Sequence, residues 1–199
     1  LVCQAGNFTN DSYYGSQVAS LATYIPLNTW GHIAFTHEQT PTGATQKIYI
    51  NGILRNTYTS TTDPYTINYP VVDLYLGRRN NSSYFFIGNM DDVAVWNTAL
   101  DADTITSIYN SGNPNDLTLP ASYTAGSGVD KSANLKGYWL MGDGATFSTN
   151  WTIPDDSTNS NTGTSANMDE VDKINNAPDN TAQGRSDAMD LVSRVEETP

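Results

Sequence analysis

The sequence is poor in cysteine, in positive charge and in long apolar runs, and each shortage excludes a class of protein. Cys3 is the single cysteine, so an intrachain disulfide and a cysteine-based zinc cluster are both excluded. Nine Lys and Arg stand against 21 Asp and Glu, for a net charge of −12, so the surface repels nucleic-acid phosphates. No apolar run reaches membrane-spanning length. We therefore expect no nucleic-acid partner and no membrane insertion.

The positions that charged residues would occupy in a helical protein are filled here by Asn, Thr, Ser and Gly. This composition is typical of turn-rich β proteins and of extracellular or virion surfaces. The chain opens at Leu1 without an initiator Met. From this start we expect a processed product, a fragment or a further upstream segment.

Alternation of large apolar and polar residues predicts strands through the first part of the chain. Asn51 and Gly52 lie between two such stretches, where a tight hairpin needs positive backbone angles. The predicted strands are Ser20 to Ile25, Gly31 to His37, Gln46 to Ile50, Ile53 to Thr59, Val71 to Gly77, Tyr84 to Ile87 and Met90 to Trp96. We expect them to form a sandwich of two sheets.

One short helix and a polar tail complete the pattern. Asp101 can cap a helix over Ala102 to Asn110, and Gly112 followed by Pro114 ends it. A linker is predicted over residues 118–134, and a strand resumes at Leu135. The tail beyond Gly144 has too few apolar residues to fold alone, so we expect it to lie along another surface as an extended C-terminal arm.

The order of these motifs resembles the later two thirds of a laminin G-like domain, a member of the concanavalin A-like lectin and glucanase superfamily. The resemblance is carried over residues 20–112 by Trp30 to Thr36, Ile48 to Gly52, Gly88 to Asn97 and Ile108 to Gly112. It implies an all-β fold, an antiparallel two-sheet jelly-roll sandwich with one short helix and the extended arm. We assign residues 1–117 to this sandwich and expect it to lack its opening strands.

The tail carries a second resemblance. Residues 137–144, 155–157 and 161–164 are similar to the way laminin G-like domains begin, so an opening module follows a closing one. Residues 135–199 therefore form a strand plus arm that resembles the start of such a domain. Two explanations stay open: an upstream half is missing, or the tail supplies strands to its own or a neighbouring sandwich. We favour the first, with the tail packed on a neighbouring subunit.

Relatives in this family often bind calcium through acidic residues near one sheet rim, and the resemblance implies Asp91 and Asp92 as candidate ligands of a Ca²⁺ ion. Calcium needs six to eight oxygens, whereas adjacent residues on one strand point to opposite faces. At most one of the two is then a direct ligand. The alternative is that one carboxylate hydrogen-bonds a loop and the other is solvated.

Tyrosines in polar, loop-like surroundings are the candidate ligand-binding residues, because their rings can stack on sugars or contact a protein. They are Tyr13, Tyr14, Tyr65, Tyr69 and Tyr84. Trp30 and Trp96 lie in strand patterns and are expected in the core. Arg78 and Arg79 form a local cationic spot, for which we prefer salt bridges to the acidic surface.

Catalysis finds little support in the residues. Glucanases of the superfamily use two Glu on one strand, with the acid and nucleophile carboxylates about 5 Å apart. The nearest match, Glu170-Val171-Asp172, lacks the second Glu. We expect no enzyme activity and no catalytic residues.

The tail also resembles the C-terminal parts of laminin G-like structural proteins of marine bacteriophages, which implies a place on the virion surface. The leading hypothesis is a non-enzymatic phage structural protein, as a capsid decoration, tail fibre or other tail-associated protein. It would form homo-oligomers, contact neighbouring virion subunits and bind cell-surface glycans of the host. The alternatives are a secreted or cell-surface bacterial carbohydrate-binding module, which would be extracellular, and a glycan hydrolase of the same fold.

Overall fold

A computed structural model describes residues 2–7, 12–60, 73–78, 85–178 and 187–191, with side chains described from Ser16 onward. Packing divides the chain into two units. The first unit comprises Leu1–Pro70 and Trp96–Asn134, and the second comprises Val71–Val95 and Leu135–Pro199. Each unit therefore combines a stretch from the first half of the chain with a later stretch.

The described residues are mostly strands and connecting turns. The strands are β1 (Val2–Asn7), β2 (Ser12–Gln17), β3 (Ile33–Thr40), β4 (Gly43–Ile50), β5 (Ile53–Ser60), β6 (Gly88–Met90), β7 (Val93–Trp96), β8 (Leu135–Trp139), β9 (Thr146–Phe147), β10 (Trp151–Ile153), β11 (Gly163–Thr164), β12 (Lys173–Ile174) and β13 (Ala188–Leu191). The helices are α1 (Ala102–Tyr109) and the single turn α2 (Ala121–Thr124), with 3₁₀ turns at Leu21–Thr23, Asn110–Gly112, Ser132–Asn134 and Glu170–Asp172.

The first unit is built on an antiparallel sheet in the order β3-β4-β5. The hairpin between β4 and β5 turns at Asn51 and Gly52, whose φ angles are 52° and 72°. The Asn51 side-chain oxygen also accepts a hydrogen bond of 3.0 Å from the backbone N–H of His32. These positive angles confirm the turn predicted from the Asn-Gly pair.

Strand β4 is central and buries both of its faces. Ile48 and Ile50 are fully buried in a cluster with Val18. Tyr49 lies between them in sequence and packs in a different cluster with Leu100 and Ile105. Because successive side chains of a strand point to opposite faces, the two clusters occupy the two sides of β4.

Strands β1 and β2 form an antiparallel hairpin that the alternation pattern did not predict. The strand predicted over Ser20 to Ile25 is wrong, since this stretch contains the 3₁₀ turn Leu21–Thr23 instead. Leu21, Tyr24 and Ile25 pack together against the Val18 cluster. Their spacing of three and four residues suits a helical turn, and the left-handed Ser20, with φ 55°, ends the extended chain before it.

Helix α1 begins as predicted. The Asp101 carboxylate accepts a hydrogen bond of 2.7 Å from the backbone N–H of Thr104.

The stretch predicted as a linker contains α2, and Tyr123 within it is fully buried. The Tyr123 hydroxyl donates a hydrogen bond of 2.6 Å to the Leu117 carbonyl oxygen, so this stretch packs as part of the first unit.

In the second unit, strands from the C-terminal part of the chain pair with strands β6 and β7 from its first half. Strand β13 lies between β12 and β6, and Met189 is the register partner of Met90. Strand β7 pairs with β8, and β9, β10 and β11 form a small sheet of their own. Trp139, Met141, Trp151, Ile153 and Met189 form the buried core.

The fold class is confirmed: the described residues form antiparallel sheets with one short helix, α1, as a β-sandwich of the predicted type requires. The described parts of two predicted strands, residues 73–77 of the first and 85–87 of the second, are not strands. Within the described residues, no helix is both long enough and apolar enough to span a bilayer.

Candidate functional site

The second unit contains a groove with a volume of about 890 Å³. Three stretches line it: residues 73–78 with Phe85 and Phe86, strand β8, and the loop and strand over residues 161–168. Leu191 of β13 also lines the groove. We call this feature the second-unit groove. Its walls come from both halves of the chain, and all of its described lining belongs to one unit.

Backbone contacts bring the first wall together. The backbone N–H of Phe86 donates a hydrogen bond of 2.7 Å to the carbonyl oxygen of Gly77. Gly77 has φ 75°, and Leu191 lies only 2.8 Å from the place where a Cβ would stand. A side chain at this position would meet both backbone strain and Leu191, so Gly77 lets this wall lie directly against β13.

Aromatic rings at this wall are open to solvent. Phe85 is 50% exposed and Phe86 47% exposed, while Tyr75 is 37% exposed. Folding normally buries large aromatic side chains, because the hydration of apolar surface is unfavourable. Three exposed rings at one groove therefore form an apolar surface that a ligand could cover. This arrangement is typical of a binding surface.

Trp139 supplies a buried part of the lining. The indole is 7% exposed, and its Nε1 donates a hydrogen bond of 2.8 Å to the carbonyl oxygen of Asn161. A Cβ on Gly137 would stand 2.2 Å from the Trp139 ring. The glycine therefore provides the space that the indole occupies beside β8.

The opposite wall is fixed by the carboxylate of Asp155. It accepts hydrogen bonds of 2.8 Å from the backbone N–H of Tyr138, 2.9 Å from that of Ser157 and 2.7 Å from that of Asn161. Burial alone would raise the pKa of Asp155, but these hydrogen bonds and one from the Ser157 hydroxyl outweigh it and lower the pKa. The ionised carboxylate thus joins β8 to the loop that carries Asn161.

The charges in the groove differ from those of the whole chain. Arg78 and Lys136 line it, and Asp73 is the acidic residue among its described lining residues. The Arg78 guanidinium carbon lies 4.3 Å from the centre of the Tyr75 ring, a cation–π contact. Among the described residues the ion pair is between Lys173 and Asp187, so the salt bridge predicted for Arg78 is not found there. Arg79, for which a salt bridge was also predicted, lies outside the described residues.

The tyrosines predicted as ligand contacts lie outside what the structure describes. Tyr13 and Tyr14 belong to β2, but their side chains are not among the described ones. Tyr65, Tyr69 and Tyr84 lie outside the described residues altogether. Their role in binding stays a prediction.

Asp91 and Asp92 lie in the short connection between β6 and β7, not on a strand. Asp92 has φ 48°, and its carboxylate accepts a hydrogen bond of 2.7 Å from the Tyr138 hydroxyl. Over the described ranges, no group of three or more His, Cys, Asp or Glu side chains could hold a metal ion. Calcium binding through these two residues stays a prediction.

Several residues of the groove were not predicted as site residues. Phe85 and Phe86 lie in the strand predicted over Tyr84 to Ile87, and Trp139 follows the point at Leu135 where a strand is predicted to resume. The available signals were the adjacent pair of phenylalanines close to Arg78 and the Tyr-Trp pair in β8. Neither signal shows by itself that the two stretches share one groove.

Comparison with protein families adds one match. The model of a family described as the concanavalin A-like lectin/glucanases superfamily matches residues 4–106, just over half of the chain. A search of curated proteins and a search of solved structures found no match. The matched stretch includes the first wall of the groove, residues 73–78 and 85–86.

Proposed function

The chain belongs to the concanavalin A-like lectin/glucanase superfamily, and from this premise we propose that it binds carbohydrate in the second-unit groove. The superfamily fits carbohydrate binding in general. The observation that carries the proposal is the set of exposed rings of Tyr75, Phe85 and Phe86 along one wall of a groove of about 890 Å³.

The lining has the two kinds of surface that a saccharide needs. The C–H faces of a sugar ring are apolar and stack on aromatic rings such as those of Phe85 and Phe86. Hydroxyl groups need hydrogen-bond partners, which Asn161, Thr162 and Asn167 can supply from the opposite wall. A few polar groups within a largely apolar groove are the usual arrangement of a small-ligand site.

We propose binding without hydrolysis. Glycoside hydrolysis by the common mechanisms needs two carboxyl groups, about 5 to 9.5 Å apart, on either side of the bond to be cleaved. Among the described lining residues, Asp73 is the acidic one. A hydrolase of the same fold remains the competing proposal, and it predicts release of reducing ends from a bound oligosaccharide.

The setting proposed for this binding is a phage virion, where the chain would be a capsid decoration, tail fibre or tail-associated protein. The support is the resemblance of the tail to phage structural proteins and the acidic, Asn- and Thr-rich composition. A secreted bacterial carbohydrate-binding module is the alternative. Mass spectrometry of purified particles tests the setting: repeated copies beside capsid or tail subunits support it, and recovery only in particle-free supernatant contradicts it.

A glycan array with the purified chain tests the binding proposal. We expect retained glycans, and we expect their binding to be lost in the Phe86→Ala variant. Phe35→Ala is the matched control, because Phe35 is a 39% exposed phenylalanine on β3 of the first unit. The proposal is wrong if the array retains no glycan, or if the Phe86 and Phe35 variants bind equally well.

A further inference from the structure

We infer that the second-unit groove selects saccharides that carry a carboxylate, such as oligosaccharides of uronic acids. This inference rests on the proposed function and adds the chemical class of the ligand. The positive charges at the groove support it, whereas general carbohydrate binding was proposed from the exposed aromatic rings.

Positive charge is scarce in the chain, and part of it lies at this groove. The sequence has nine Lys and Arg residues against 21 Asp and Glu. Two of the nine, Arg78 and Lys136, line the groove, where the described lining contains the single acidic residue Asp73. The local balance of charge is therefore positive in a chain whose net charge is −12.

Arg78 is held in a way that suits a carboxylate. Its guanidinium carbon lies over the Tyr75 ring, 4.3 Å from the ring centre. The N–H donors of a guanidinium lie in its plane and point outward along its edge. The cation–π contact restricts the movement of the guanidinium, and the donor edge of such a group can form paired hydrogen bonds to both oxygens of a carboxylate.

Lys136 supplies a second charge from the neighbouring strand. Its position in β8 is fixed from the loop side, because the Asn161 side-chain amide donates a hydrogen bond of 2.8 Å to the Lys136 carbonyl oxygen. The ammonium is a compact charge on a flexible stem, and it attracts an anion without requiring one geometry. Arg78 would orient the carboxylate, and Lys136 would add attraction.

The acidic exterior limits the length of the ligand. A long polyanion would meet the repulsion of the whole surface, since charges act over about 8 Å at physiological ionic strength. A short acidic oligosaccharide places its charge in the groove and little elsewhere. We therefore expect tighter binding per saccharide unit for a tetramer than for a polymer of the same sugar.

Isothermal titration calorimetry of the full chain with tetragalacturonic acid and its methyl ester tests the inference. The two probes share their rings and differ in charge. We expect the acid to bind at least tenfold more tightly, and we expect Arg78→Gln and Lys136→Gln each to weaken it by about tenfold, the loss typical of one charge-assisted hydrogen bond. Lys47→Gln on β4 of the first unit is the charge-matched control.

The outcomes separate the two proposals. If the ester binds as tightly as the acid and Phe86→Ala abolishes both, carbohydrate binding stands and the selection of carboxylates is wrong. If a tetraglutamate peptide binds as tightly as the acid, the groove selects negative charge rather than a sugar, and the inference is again overturned. If neither the two probes nor the glycan array gives binding, both proposals fail. Arg78→Lys, which keeps the charge but not the paired donors, should recover only part of the affinity.

Discussion

The indole nitrogen of Trp139 donates a hydrogen bond of 2.8 Å to the backbone carbonyl oxygen of Asn161. Trp139 belongs to β8, and Asn161 belongs to the loop that forms the facing wall of the second-unit groove. This hydrogen bond connects the facing wall to a side chain of the core, in addition to the bonds that Asp155 accepts. The shape of the groove and the stability of the second unit therefore depend on the same residue.

Trp139→Phe should lower both stability and binding. Phenylalanine keeps an aromatic ring but removes the N–H donor and part of the buried volume, so the free energy of unfolding should fall by about 2 kcal/mol. Urea denaturation measures this loss, and calorimetry measures the accompanying loss of saccharide affinity. The control is Trp96→Phe, which removes a hydrogen bond of 3.3 Å to the Tyr123 hydroxyl in the first unit. If both variants leave affinity unchanged, the indole does not position the wall.

Asp155→Asn should reduce the dependence of stability on acid. Hydrogen bonds outweigh burial and lower the Asp155 pKa below 3.8, so the stabilisation is present above pH 3.8 and is lost as the pH falls through the lowered value. The stability of the variant should not show this loss at low pH. Thermal unfolding measures this loss of stability. The melting temperatures of the wild type and the variant are compared from pH 7 downward, at pH values on either side of the ordinary pKa of 3.8.

The control for Asp155 is Asp101→Asn. Asp101 also has a lowered pKa, because hydrogen bonds from Thr104 outweigh the effect of burial at the start of α1. This variant should change the acid stability of the first unit and leave saccharide binding intact, whereas Asp155→Asn should weaken binding. Equal effects of the two variants on binding would contradict the role assigned to Asp155.

Gly142→Ala should destabilise the second unit. A Cβ at Gly142 would lie 2.6 Å from the backbone nitrogen of Ala188, at the beginning of β13. Because backbone atoms cannot move aside as a flexible side chain can, the expected loss is about 1 to 3 kcal/mol. Chemical denaturation gives the free energy of unfolding of this variant and of the control Gly126→Ala. In the control, the added Cβ would meet only the Ser107 hydroxyl, at 3.5 Å. A loss of similar size in both variants would argue against this contact.

His32 should make the chain less stable in mild acid. Burial lowers its pKa from 6.5 to about 4. Between these values the unfolded chain binds a proton and the folded chain does not, so stability is complete above pH 6.5 and falls by about 3 kcal/mol toward pH 4.

His32→Phe tests this expectation, because phenylalanine places another aromatic ring beside Tyr109, whose ring centre is 5.7 Å from that of His32, and it cannot be protonated. Its denaturation midpoint should vary less with pH between 6.5 and 4 than that of the wild type. His37→Gln is the comparison: burial lowers the pKa of His37 as well, so both histidines act in one direction. The expectation fails if the wild type and His32→Phe lose the same stability over this range.

A disulfide across β6 and β13 should form within one chain. Asn89 and Asp190 are register partners in this antiparallel pair, and such partners have Cα atoms about 4.5 to 5.5 Å apart, which suits a disulfide. The variant is Asn89→Cys with Asp190→Cys in a Cys3→Ser background. Non-reducing electrophoresis should show a cross-linked monomer. A cross-linked dimer would mean instead that the tail supplies β13 to a neighbouring copy, as the expectation of a tail on a neighbouring subunit requires.

The sequence predicted elements whose signals are local. Strands β3, β4 and β5 show alternation, the Asn51-Gly52 turn has its characteristic pair, and α1 has the Asp101 cap. The hairpin of β1 and β2 escaped prediction because its residues, such as Gly6 and Gly15, do not alternate. The error at Ser20 to Ile25 arose because three large apolar residues, Leu21, Tyr24 and Ile25, fit either a strand or a helical turn in so short a stretch.

The groove could not be predicted from the sequence in the same way. Its lining residues come from stretches about sixty residues apart, and only strand pairing brings Arg78 and Lys136 into the same unit. Periodicity describes neighbours along the chain and carries no information on which strands pair. The resemblance of the tail to the opening of a domain was the one signal that it could complete an earlier part of the chain.

The pairing of Met90 with Met189 has a consequence for biosynthesis. On the ribosome, β6 emerges about a hundred residues before the strand that covers its edge, so that edge stays without β13 while the intervening residues are synthesised. Closing so long a loop is entropically costly, and contacts of this range slow folding. The second unit, with its groove, should therefore mature late, and a chaperone that shields the open edge should raise the yield of native protein.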